Sequence, residues 1–68
     1  MVECYSGATY AERPRALFWQ GERLEVTVIL ASWYTELGKG FRVSVRDGRE
    51  FELVYNQLVD QWSITPCS

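Results

Sequence analysis

The sequence predicts an all-β fold: a five-stranded antiparallel meander curled into an SH3-like, partly closed barrel, with a strongly twisted open sheet as the alternative. Three observations carry this. Apolar residues recur with period two from Arg15 onward, the runs are rich in β-branched and aromatic side chains, and glycine punctuates them at hairpin spacing. With no helix to cover it, a small sheet shields an apolar face most economically by curling.

Residues 1–13 read as a loosely ordered arm, polar and without a sustained period, anchored by Tyr5 or Tyr10. Residues 14–68 form one small β domain, begun by Pro14, which pushes Arg13 toward extended geometry. Leu17 and Trp19 share a face of the first strand. A two-residue loop at Gly21-Glu22, with glycine first as in a type II′ turn, places Trp19 opposite Leu24 and Leu17 opposite Val26. Leu24, Val26, Val28 and Leu30 then share a face, which leaves Ile29 outside. The phase breaks before Trp33 and predicts a bulge near Ala31-Ser32. Such a long strand, Arg23 to Glu36, bends and feeds both halves of the sheet.

Phe41, Val43 and Val45 alternate with Arg42, Ser44 and Arg46. A two-residue Asp47-Gly48 turn would set Val45 against Glu50, moving every side chain to the wrong face. A three-residue loop, Arg46-Asp47-Gly48, with glycine in the left-handed bulge position pairs Val43 with Phe51, Phe41 with Leu53 and Arg42 with Glu52. A four-residue loop after Asn56 sets Tyr55 opposite Trp62. Leu58 and Val59 are apolar for a loop tip and are expected to tuck back in one tight turn.

The 68 residues include no histidine, which removes the commonest general acid/base and the usual zinc ligand. Net charge is −2, without the global basic footprint of a dedicated nucleic-acid binder, although six of the seven cations are arginine. No apolar run approaches the length of a membrane span, and the first residues carry no secretory pattern, so cytoplasmic residence is expected. Cys4 and Cys67 match no metal or redox spacing, and reduced thiols are expected, with a Cys4–Cys67 disulfide or an intermolecular link as the alternatives.

Candidate chemistry is sparse. Glu50 and Glu52 share a strand face, but Arg42 beside them makes cross-strand ion pairing a sufficient explanation. Gly38-Lys39-Gly40 lacks the spacing of a phosphate-binding loop and reads as a hairpin tip. Ser32, Ser44 and Ser63 have no histidine to activate them. No catalytic, metal or cofactor site is therefore assigned. Phe18 points away from Leu17 and Trp19, and Trp33 and Tyr34 must diverge. Phe18, Tyr34, Arg42 and Arg46 thus form a candidate partner-binding set on the outer face, suited to a peptide or to stacked bases.

The string Arg13-Pro14, Phe18 to Trp19, Gly21, Val26, Ile29-Leu30, Trp33, Phe41-Arg42-Val43, Gly48, Phe51, Leu53, Tyr55 and Trp62 resembles a family of small bacterial proteins known only as a domain of unknown function. The resemblance covers residues 13–64 and rests on core and turn positions. It implies a cytoplasmic bacterial protein with no site to transfer. Some relatives are encoded beside translesion polymerase genes, which points toward DNA metabolism, and this chain departs from them in its short arm and acidic balance. The expectation is a non-catalytic module that binds a protein or peptide. The alternatives are an accessory protein for single-stranded nucleic acid and a structural homodimer paired through a sheet edge, with Ile29 and Val54 as outer apolar spots.

Overall fold

One long bent strand organises the sheet. The computed structural model describes residues 2–4 and 13–67, and these form β1 (Val2–Cys4), β2 (Pro14–Trp19), β3 (Glu22–Tyr34), β4 (Gly38–Val45), β5 (Glu50–Asn56) and β6 (Gln61–Cys67). Each strand pairs antiparallel with the next, in the order β1-β2-β3-β4-β5-β6. The described residues are all β and turn, and the sheet curls into a half-barrel, as the alternation implied. The strand count is six rather than five because Val2–Cys4 pairs with β2 and Val2 is buried in the core. Tyr5 and Tyr10 lie outside the described residues.

β3 serves two partners. Leu24 and Glu25 face Leu17 and Ala16 of β2, whereas Val26 to Tyr34 face β4. Its register on β4 slips twice, between Val26 and Val28 and between Ile29 and Ala31, so Thr27 and Leu30 are the extra residues. This corrects the single bulge expected at Ala31-Ser32. Each extra residue inverts the inside-outside phase. Ile29 consequently pairs with Val43 and packs on the core, while Val28 and Leu30, expected inside, are exposed. Bulges also sharpen strand twist, and the twisted sheet curls without closing, since β1 and β6 lie at its two ends and do not pair with each other. Three strands apart in the order, the rings of Trp19 on β2 and Phe51 on β5 meet edge-to-face at 5.6 Å.

The concave side holds the core: Leu17, Leu24, Phe41, Val43, Val45, Phe51, Leu53 and Tyr55 are buried. Trp62 packs against Tyr55 and Phe41, at centroid distances of 5.1 and 6.1 Å. The register Phe41↔Leu53, Arg42↔Glu52, Val43↔Phe51 is the expected one. Gly48 has φ 94°, and its N–H donates to Val45 O, so an L side chain there would be strained. Tyr55↔Trp62 also pairs as expected. The first hairpin differs. Gln20 and Gly21 both take positive φ, 52° and 82°, in the manner of a type I′ turn, and Trp19 faces Glu22 while Leu17 faces Leu24. The loop begins one residue earlier than expected, and because the shift preserves parity the core face is unchanged.

On the convex side Trp33 lies over Gly40, its cross-strand partner. A Cβ at Gly40 would overlap the indole, so the glycine is what lets the ring lie flat on the sheet. We expect Gly40→Ala to displace Trp33 and destabilise the fold by about 1–3 kcal/mol, the usual range for overpacking. Urea unfolding checks this, and a Trp33→Ala/Gly40→Ala cycle should recover most of the loss. Unchanged stability in Gly40→Ala would remove the steric account.

Candidate functional site

The residues singled out from the sequence occupy separate places. Phe18 is half-buried on the convex side of β2, opposite Arg23. Arg42 is on the convex side of β4, where its Nε lies 3.4 Å from Glu50, diagonal to the Glu52 it faces in register. Arg46 is in the β4–β5 loop and pairs with Glu25 at 3.3 Å. Tyr34 ends β3 in the row of Lys39, Tyr55 and Trp62, on the opposite side of the sheet from Arg42. The four do not form one patch. The bulges in β3 and the curl of the sheet separate them.

The arginines are matched locally. Arg23 donates two hydrogen bonds to Glu3, at 3.1 and 3.0 Å, and lies 3.8 Å from Glu25, which also receives Arg46. Arg49 pairs with Asp47 at 2.7 Å and with Glu22 at 3.6 Å. Arg23 with Glu3 and Arg46 with Glu25 strap β1, β3 and the β4–β5 loop together on the convex side. Arg49 lies over the Phe51 ring and reaches Glu22, the register partner of Trp19. A groove of about 580 Å³ beside them is lined by Glu22, Glu25, Arg46 and Asp47 among others. The bonds from Arg23 hold the Glu3 carboxyl below its ordinary pKa, and those from the Arg49 side chain do the same for Asp47. The single lysine, Lys39, sits over the rings of Tyr34 and Phe41 at 5.3 and 5.1 Å.

A different cluster emerges at one end of the half-barrel. Tyr34 closes β3, Leu37 lies in the β3–β4 loop, and Leu58 and Val59 lie in the β5–β6 loop. They are 84, 44, 75 and 58% exposed. The two loops are tied by a 2.8 Å bond from Gln57 N–H to Leu37 O. Each is also braced internally. Thr35 Oγ1 accepts from the N–H groups of Leu37 and Gly38, at 3.2 and 2.8 Å, and Asn56 Oδ1 accepts from Leu58 N–H at 2.9 Å. Tyr55 OH donates to Asp60 Oδ1, which fixes the far side of the second loop. Contrary to expectation, then, Leu58 and Val59 do not tuck back: Asn56 and Asp60 hold their loop outward. Beside this end, on the convex side, is a shallow depression of about 490 Å³ lined by Thr35, Glu36, Leu37, Val54, Asn56 and Ser63.

Of these apolar residues the sequence pattern pointed to Tyr34 alone. The available signal was Leu37 and Leu58-Val59, three large apolar residues inside two turn segments. Comparison of the chain with protein-family models, with curated proteins and with solved structures finds no match. Among the described residues no helix is long and apolar enough to cross a membrane.

The charge strap has a pH signature. Both carboxyl pKa values are depressed in the folded state, so the strap stabilises fully above the ordinary carboxyl values of 4.5 for Glu3 and 3.8 for Asp47. That contribution is lost as pH falls through the lower folded values. We expect the urea midpoint to be flat near neutrality and to decline below about pH 4.5. Glu3→Gln/Asp47→Asn should lower the plateau and flatten the decline. An identical acid limb in the variant would show that the strap is energetically silent.

Proposed function

We propose that this chain is a non-catalytic protein-interaction module, and that it docks through the apolar end formed by Tyr34, Leu37, Leu58 and Val59. The observation that carries this reading is the exposure of Leu37, Leu58 and Val59 on two loops braced by their own hydrogen bonds, with Tyr34 exposed at the end of β3 beside them. Large apolar side chains held in water at one end of a fold are the usual mark of a contact surface. Loops already fixed in place lose little conformational freedom on binding. Tyr34 supplies a large, amphipathic anchor of the kind that dominates interface energetics. Glu36 and Lys39 border the patch and give it a polar rim. The partner that fits is a folded protein or peptide presenting an apolar ridge.

Pairing of Arg23, Arg42, Arg46 and Arg49 with carboxylates favours this reading over single-stranded nucleic acid. Phosphate contacts would have to displace those partners.

A photo-crosslinking residue at position 59, in cells that express the chain, identifies the partner, and titration of the purified pair measures affinity. We expect Leu58→Ser/Val59→Ser to raise Kd by at least about tenfold, the loss expected for one apolar anchor. The thermal midpoint should hold, because neither side chain is buried. Unchanged affinity in this variant would overturn the proposal. So would tight binding of single-stranded DNA that falls steeply with salt and shifts the amides of Arg42 and Arg46.

A further inference from the structure

The two edges of the sheet are built differently. β1 is three residues long, is broken by a bulge between Glu3 and Cys4, and carries the ion-paired Glu3. Those are the usual devices that stop an edge from pairing. β6 has seven residues in unbroken register on β5 and no charged side chain between Gln61 and Cys67.

Hydrogen-bond parity defines what β6 offers. Val45 N–H bonds to Arg49 O, and Gln57 N–H to Leu37 O, so the odd-numbered residues of β5 bond to β4. The even-numbered ones therefore bond to β6, where Gln61, Ser63, Thr65 and Cys67 are their partners. Trp62, Ile64 and Pro66 direct their main-chain groups outward. Proline at such a position loses no ladder bond. The edge thus presents two N–H groups, on Trp62 and Ile64, placed symmetrically about Ser63.

We propose that β6 pairs antiparallel with β6 of a second copy of this chain, about a two-fold axis through Ser63. In that register Trp62 of each copy exchanges both main-chain hydrogen bonds with Ile64 of the other. Four bonds form and both outward N–H groups of each copy are satisfied. Trp62 and Ile64, half-buried on the concave side, meet their counterparts there, apolar against apolar. Ser63 meets Ser63 on the convex side, and no like charges face each other across the axis. Pro66 falls opposite Asp60, outside the four bonds, so its missing donor costs nothing. The convex row Trp33, Gly40, Val54, Ser63 continues into the second copy, and the depressions lined by Val54, Asn56 and Ser63 adjoin across the axis. Because the strands run antiparallel, the two apolar ends point in opposite directions, which makes the dimer bivalent. The pairing itself stands without the docking role of those ends, and loss of partner binding in Leu58→Ser/Val59→Ser leaves it untouched.

Sedimentation equilibrium of the wild-type chain at micromolar concentrations should approach twice 7.9 kDa. Ser63→Asp places two carboxylates face to face and should raise the dimer dissociation constant at least about tenfold. Ser63 is exposed, so the fold should persist, and circular dichroism checks it. In a non-hydrogen-bonded antiparallel pair the Cα atoms lie about 4.5 Å apart, within disulfide reach. Ser63→Cys should therefore yield, on mild oxidation, a dimer linked 63 to 63, whereas Thr65→Cys, facing Gln61, should not link to its counterpart. A monomer throughout, a dimer indifferent to Ser63→Asp, or linkage at 65 in place of 63 would overturn the proposal.

Discussion

Everything in this molecule depends on β3 carrying two extra residues. A regular thirteen-residue strand would run straight past both neighbours and leave a flat sheet with one uncovered apolar face. β3 passes from β2 to β4 between Glu25 and Val26, and the bulges at Thr27 and Leu30 bend it within its pairing with β4. That bend brings Trp19 over Phe51, which closes the core of a chain too small to waste apolar surface. The cost is visible on the outside. Shifting Ile29 inward sends Val28 and Leu30 into solvent, and the curl stops short of joining β1 to β6.

The functional reading follows from the same geometry. Curling gathers the β3–β4 and β5–β6 loops at one end, where hydrogen bonds accepted by Thr35 and Asn56 and donated by Gln57 and Tyr55 lock them. The two braced loops, tied by Gln57 N–H to Leu37 O, present Leu37, Leu58 and Val59 at the same end of the fold. Among the described residues, no strand pairs with the outer edge of β6. The proposed docking end and the outer edge of β6 are both consequences of a sheet that curls but does not close. The ion pairs across β1, β3 and the β4–β5 loop serve the opposite purpose, keeping the other edge shut and the convex side polar.

Much of this was legible in the residues themselves. The alternation Phe41-Val43-Val45 against Phe51-Leu53-Tyr55 fixes the parity of the register, because any slip of one would bury Arg42 or Glu52. Gly48 then has a single place to go. The Gly21 hairpin was misplaced because Gln20, which has a Cβ, takes a positive φ that sequence reasoning reserves for glycine or asparagine. The bulges fell in Val-Thr-Val-Ile-Leu-Ala, a run without glycine or proline to mark them. β1 is too short to show a period. For the surface, strand parity places Phe18 and Arg42 outside correctly, but parity is local. Whether two outward side chains meet depends on curvature, and so the assembled end with Leu37, Leu58 and Val59 could be read only once the sheet was folded.

The bend in β3 is tested most directly by nuclear Overhauser contacts in the labelled protein. The account expects cross-strand contacts for Val26 with Val45 and for Trp33 with Gly40 in one spectrum, a pair of registers that two extra residues must separate. It also expects ring contacts between Trp19 and Phe51. A single register along all of β3, with Trp19 remote from Phe51, would contradict it and would leave the sheet open.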